Sequence, residues 1–299
     1  MQANVQANAQ VNAQVNAQVE LNGRAQNSSS LAQSLQWDPP TPPNSGEPGG
    51  RGQGGGSRTQ CDRYANLQAI VPPLPSKVQW GQTVSDRPTL WIYAPEGFAD
   101  QEMVEIRLKD SATGTLVKQQ FQTKAIGPGI TSIAFPNQAA LKVGQSYQWF
   151  FSVQCQRPDI SDADTINTPI ILRGSITRIA LKLPIGQQLR QQKDPVQKAM
   201  IYAKKGIWFD ALTTLGQLLR SQTTSQTTTL QPSAVSMGTV SMGTGSMGTG
   251  SSKPQRTASP QTPDSPGQMA WKQLLDQAGF APLATVPLQP ELAPAQNSR

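Results

Sequence analysis

No histidine occurs anywhere in the 299 residues. Histidine is the side chain that most often serves as a general base near neutral pH, and it is the commonest metal ligand. Its absence excludes a Ser-His-Asp triad, a Cys-His dyad and any zinc site built on imidazole. Cysteine is almost as scarce, and Cys61 and Cys155 alone cannot make a four-cysteine zinc site. Long apolar runs are missing too. None approaches the roughly 18 residues that a membrane-spanning helix needs. These absences predict no catalytic set, no cofactor, no metal centre and no transmembrane segment, and so a protein that is not an enzyme.

Glycine and proline, 25 of each, are abundant and unevenly placed. The chain opens on "QANVQANAQVNAQVNAQVE", a degenerate four-residue repeat without the basic and then apolar pattern of a signal peptide. "WDPPTPPNSGEPGGRGQGGGSR", Trp37 to Arg58, follows and has linker composition. Residues 1–58 therefore read as a disordered lead-in. A second block, residues 221–267, contains "SMGTVSMGTGSMGTG". Small polar residues and glycine bury too little surface to offset ordering entropy, which predicts a disordered linker. Met237, Met242 and Met247 are incidental members of its repeat.

Between the blocks, short β-like runs alternate with turn signals, predicting a β-sandwich domain over residues 59–183. "RPTLWIYAP" is rich in β-formers between prolines. "MVEIRLKD" puts Val104, Ile106 and Leu108 on one face and Glu105, Arg107 and Lys109 on the other, a half-buried strand. "SATG" turns the chain, and "TLVKQQFQT" returns with Val117 and Phe121 in phase. "GITSIAFP" and "TPIILRGSITRI" supply two more strands, and Leu67 to Val71 a first one.

"LKVGQSYQWFFSVQC" is the densest apolar passage. A period of two aligns Tyr147, Trp149, Phe151, Val153 and Cys155 on one face, which predicts a core strand and not a ligand site. Its lead-in, with Leu141, Gly144 and Tyr147 at three-residue steps, resembles the tyrosine corner of immunoglobulin-like and fibronectin type III sandwiches. That resemblance implies an immunoglobulin-like antiparallel sandwich whose tyrosine hydroxyl returns to upstream backbone. Trp149 stands where an immunoglobulin domain would carry a cysteine, so the usual inter-sheet disulfide is not expected.

The two cysteines lie at opposite ends of the predicted domain. Either they are reduced thiols of a cytosolic protein or they form one bridge, Cys61 to Cys155. An even count with one cysteine at each end fits an oxidising compartment, and the bridge is the expectation. A loop of this length stabilises by roughly 4 kcal/mol in the chain-entropy model. Export then requires a leader upstream of Met1.

Beyond Pro184 the period changes to that of helices. Asp194 and Pro195 read as N-cap and first helical residue. Ile207, Ala211, Leu215 and Leu218 fall at helical spacing, with Trp208, Leu212 and Leu219 beside them. Tyr202, Gly206, Trp208, Asp210 and Ala211 resemble the middle of a tetratricopeptide repeat, which implies a helical hairpin over residues 190–220. A solenoid needs about three such units, so this one is expected to pack on the sandwich. Residues 268–289 read as a C-terminal helix that packs back, with Trp271, Leu274 and Leu275 on one face and Gly279 at its end, and residues 290–299 as a disordered tail.

Residues 173–220 carry nine Lys or Arg against Asp194 and Asp210, a balance of +7 that equals the net charge of the whole chain. The cations are spread out without interleaved aromatics, which argues against specific nucleic-acid reading and leaves a solvated basic face or an acidic partner. "RPDISDADT", with Asp159, Asp162 and Asp164, lacks the full ligand set of a calcium loop. "GRGQGGGSR" lacks the flanking strand and helix, and the lysine, of a phosphate-binding loop.

Taken together, "DPP…PGGRGQGGGSR…C", "RPTLWIYAP", "LKVGQSYQWFFSVQC", "GIWFDALTTL" and "WKQLL…AGF…PL" resemble the cyanobacterial domain of unknown function family numbered 928, over about residues 38–288. The resemblance implies an exported-looking leader and an architecture, not an activity. The expectation is an extracytoplasmic binding or scaffold module of the cell envelope, periplasmic or secreted, whose partner is a protein or an anionic envelope component. The alternative is a cytoplasmic regulatory adaptor that uses the basic tetratricopeptide-like hairpin.

Overall fold

The protein, described by a computed structural model, is placed over residues 34–42, 62–73, 79–136, 138, 140–154, 169–228 and 263–293. Among these residues it is mainly β with a helical appendage. Eight strands form two sheets that share one hydrophobic core. The smaller sheet has the order β1-β3-β6, from β1 (Gln68–Ala69), β3 (Thr89–Ala94) and β6 (Gly129–Ala134). The larger has the order β2-β8-β7-β4-β5. It comprises β2 (Trp80–Thr83), β4 (Met103–Asp110), β5 (Leu116–Gln122), β7 (Ser146–Gln154) and β8 (Ile170–Arg178).

The predicted alternation holds along these strands. Val104, Ile106 and Leu108 are buried, as are Val153, Phe151 and Trp149, which face them across the β4–β7 ladder, and Tyr147, which faces Asp110. At the β4–β5 turn the Asp110 carboxylate accepts the N–H groups of Ala112 (2.8 Å) and Thr113 (3.1 Å). Those bonds to the charged form hold its carboxyl below the usual aspartate range. Gly114, at φ +72°, completes the turn where a side chain would be strained.

One strand is not foreshadowed by pattern. β2 pairs with β8 in parallel, Trp80 opposite Ser175 through Thr83 opposite Arg178. A parallel partner must arrive through a long crossover, and this one lies some ninety residues away, beyond the reach of hairpin logic.

β3 and β6 are buried on both faces, because helices form a further layer on the outside of the small sheet. Among the described residues there are four helices, α1 (Leu183–Gln191), α2 (Pro195–Lys204), α3 (Trp208–Thr228) and α4 (Pro266–Gln277), and α2, α3 and α4 make up the layer. Gly216 lies so close to the Trp91 ring that a methyl group there would overlap it. Trp91 also donates its indole N–H to the Thr213 hydroxyl (3.1 Å) and meets Trp271 of α4 edge-on at 5.9 Å. Asp194 caps α2, its carboxylate accepting the Val196 N–H at 2.9 Å behind Pro195. Ser265 and Gln268 close a capping box on α4, and Gly279 ends it at φ +83°.

Four boundaries differ from expectation. The lead-in is not wholly without fixed structure: residues 34–42 are placed, with Leu35 and Trp37 buried. Two glutamines of α4 satisfy that extended backbone. Gln273 accepts the Leu35 N–H, and Gln277 accepts the Trp37 N–H while donating to the Leu35 carbonyl. The hairpin is preceded by a separate helix, α1, so the unit has three helices before the linker. Helix α3 passes Arg220 and runs to Thr228 on residues with no breaker among them. The tail is placed through residue 293, and its Leu288 bridges Ile130 as a short parallel extension of the small sheet, with Leu292 buried. The remaining low-complexity segments lie outside the described residues.

Candidate functional site

Three regions hold the residues that pattern analysis singles out. The first is the start of β7. Lys142 donates its N–H to the Tyr147 hydroxyl oxygen at 2.9 Å, and that hydroxyl donates to Gln145 Oε1 at 3.2 Å. Gly144 sits at φ +79°, and its N–H reaches the Arg178 carbonyl at 2.7 Å. Leu141 is buried, and its carbonyl accepts from the Arg178 guanidinium at 2.6 Å. Leu141, Gly144 and Tyr147 thus form one local unit, a packed and hydrogen-bonded bend.

The second region is the joint between helices and sheets. Gly206, at φ +68°, turns α2 into α3, and residues Asp38 and Pro40 lie against it. Trp208 is buried, donates its indole N–H to the Ile70 carbonyl at 2.8 Å and meets Trp37 edge-on at 5.0 Å. Ala211 is fully buried one turn on. Asp210 accepts the Thr83 hydroxyl at 2.7 Å and the Val84 N–H at 3.1 Å, tying the first turn of α3 to the end of β2. Removal from water pushes its carboxyl up to about 6, against the lowering effect of those same bonds. Tyr202, beside it, is raised above the usual phenol range, first by burial and then by the Asp210 charge.

A cleft of about 210 Å3 opens over this joint, lined by Tyr202, Asp210, Arg87, Thr213 and Gln217 among others. Its polar walls can hold a small hydroxylated molecule or water. Asp210 itself is committed to Thr83 and Val84, so it reads first as a fastening. Thr83 was beyond sequence reasoning, since 127 residues separate it from Asp210.

The third region is the end of the sheets where β7 finishes. Cys61, Cys155, Asp159, Asp162 and Asp164 lie outside the described residues, as do Met237, Met242 and Met247. The described residues beside Cys61 and Cys155 converge. Tyr64 stacks on Phe98 at 5.6 Å, and Phe98 meets Phe151 of β7 edge-on at 6.2 Å. The Tyr64 hydroxyl accepts the Ala99 N–H at 3.1 Å. Glu102 stands beside it, its carboxyl raised by burial, next to Met103, which pairs with Gln154.

A family model described as Domain of Unknown Function (DUF928) matches residues 53–236. The chain belongs to this family. The DUF928 match takes in all eight strands and α1 to α3, and α4 with its tail lies beyond it. No curated protein matches the chain. Among the described residues no helix is long and apolar enough to cross a membrane, and no group of acidic or cysteine side chains is arranged to hold a metal ion.

One group of residues escaped sequence reasoning although a signal for it exists. Arg107 and Phe150 occupy the wet faces of two separate strands, and the β4–β7 register sets them opposite each other. The outward positions of the strands mark each residue as lying on a wet face, and the ladder register alone makes them a pair.

Proposed function

We propose that this DUF928 protein is a non-enzymatic binding or scaffold module working outside the cytoplasm, in the envelope of a cyanobacterial cell. Its core is an immunoglobulin-like sandwich stapled by a Cys61–Cys155 bridge. The strand order supports the immunoglobulin-like reading, with β2 parallel beside β8 and the Tyr147 bend at the start of β7. The observation that carries the bridge is the convergence at one end of the sheets. Tyr64, three residues after Cys61, reaches Phe151 through Phe98, and Gln154, one residue before Cys155, pairs beside Glu102. The lack of histidine and the internal commitment of the Asp210 carboxylate favour binding over turnover.

Cell fractionation combined with thiol mapping tests this reading. The protein is expected outside the cytoplasm, with both cysteines blocked to a maleimide in unfolded, non-reduced protein and reactive after reduction. Free thiols before reduction, together with a cytoplasmic location, would overturn it.

A second reading has its own support. Lys182, Arg190, Lys193, Lys204 and Lys205 are exposed along α1 and α2, and none joins an ion pair among the described residues. A cytoplasmic adaptor docking an acidic partner through this tetratricopeptide-like surface accounts for that. Reduced cysteines in the cell, with a soluble partner lost on Lys204→Glu/Lys205→Glu, would favour it.

A further inference from the structure

The five-stranded sheet turns one face to the core and the other away from it. On the outward face the ladder registers assemble a row from four strands. Lys118 of β5 is opposite Arg107 of β4, Arg107 is opposite Phe150 of β7, and Phe150 is opposite Arg173 of β8. Their chain neighbours Ile106, Leu108, Trp149, Phe151 and Leu172 are buried on the other face, so a period of two sends the row outward. Lys109 is two residues along β4 on the same side. Lys118, Lys109 and Arg173 are exposed, and Arg107 and Phe150 are half-buried. Helix α3 packs on the smaller sheet and on β2. At the β2 margin Trp80 is buried, its indole N–H on the Thr177 hydroxyl at 2.9 Å, which marks the limit of the open area.

The row is cationic and built around one aromatic ring. Among the described residues of this face, Arg107, Lys109, Lys118 and Arg173 stand against Glu105 alone, four charges against one. The Arg107 guanidinium lies 5.2 Å from the Phe150 ring centroid, and its Nε is 3.0 Å from Glu105 Oε1. Ring and carboxylate hold the guanidinium in place before any ligand arrives, which reduces the ordering cost of binding. Arg107 and Arg173 are two strands apart, roughly 9–10 Å at ordinary strand spacing.

We propose that this face is a docking platform for a linear acidic polysaccharide bearing uronate carboxylates, an inference that rests on the envelope-binding reading above and names its ligand class. Each guanidinium fork receives a carboxylate, and Phe150 meets the apolar face of a sugar ring between them. Single-stranded nucleic acid is the weaker match, because sheet platforms that read it stack successive bases on two or three aromatics, and this row has one. An acidic peptide strand pairs through its backbone with a sheet edge, whereas these residues lie on a face whose strands are already paired.

The test is calorimetric titration of the full chain with polygalacturonate, with neutral dextran, polyglutamate and oligothymidylate titrated in parallel. Polygalacturonate alone is expected to bind well, and more weakly as salt rises. Arg173→Ala and Lys118→Ala, both at exposed positions, should each lower its affinity, Arg173→Ala by roughly tenfold. Phe150→Leu keeps an apolar side chain and should also weaken binding, with the circular dichroism spectrum unchanged. No binding, equal binding of polyglutamate or oligothymidylate, or full affinity in folded Arg173→Ala and Lys118→Ala would overturn the proposal. Its failure leaves compartment and thiol state unaffected, so the two readings stand or fall separately.

Discussion

The Asp210 carboxylate accepts the Thr83 hydroxyl at 2.7 Å across 127 residues of sequence, joining the helix layer to the edge strand of the large sheet. Partial removal from water raises the carboxyl from 3.8 to about 6. A carboxyl that holds its proton more tightly in the folded state adds stability as pH falls from about 6 towards 3.8, and that contribution is gone once pH rises above about 6. A shift of this size corresponds to at most about 3 kcal/mol. Asp210→Asn keeps an acceptor and removes the charge. It should be at least as stable as the natural protein at pH 8 and should flatten the rise in stability between pH 7 and pH 4.5, both read by urea unfolding. Superimposable pH profiles for the two proteins would show that Asp210 is not desolvated as described.

Asp210→Ala has the opposite sign. It leaves the Thr83 hydroxyl and the Val84 N–H without their acceptor, at a cost of about 1–3 kcal/mol. Comparing Asn with Ala by thermal unfolding at pH 7 separates the cost of the charge from the value of the bonds.

Gly216 tests the contact between helix and small sheet. Alanine is the better helix former by about 1 kcal/mol in an open helix. Here its methyl would overlap the Trp91 ring, and overpacking of this kind costs about 1–3 kcal/mol. Gly216→Ala is therefore expected to lower the melting temperature and to alter the near-ultraviolet tryptophan signal. A rise in stability would mean that the indole has room to move aside.

At the β7 bend, Tyr147→Phe removes a hydroxyl that takes the Lys142 N–H and donates to Gln145. The expected loss is about 1 kcal/mol in denaturant unfolding. Gly144→Ala, at φ +79°, should cost a similar amount through backbone strain alone.

Much of the β architecture was legible because each strand carries its own evidence. "MVEIRLKD" coincides with β4, residue for residue, since strict alternation marks both its ends and its buried face. The helical face of Ile207, Ala211 and Leu215 was legible for the same reason. What stayed hidden is held by distant partners. β2 is four residues long and is defined by its ladder to β8. Residues 34–42 look like the start of a linker until Gln273 and Gln277 are seen to receive them. The joint at Asp210 and the row through Arg107 and Phe150 likewise exist only once the sheets have formed.

The clasp of Gln277 on the Leu35 and Trp37 backbone sets an order of events on the ribosome. Leu35 leaves the tunnel early, yet its partner is 242 residues behind it. Synthesis at about 5–20 residues per second puts several seconds or more between the last strand and α4. During that interval Trp91 has no Trp271 against it, and the small sheet shows an unfinished apolar side. The nascent chain is thus open to capture by a chaperone or a translocation apparatus until α4 is made, and closure of the helix layer is the step that ends that window.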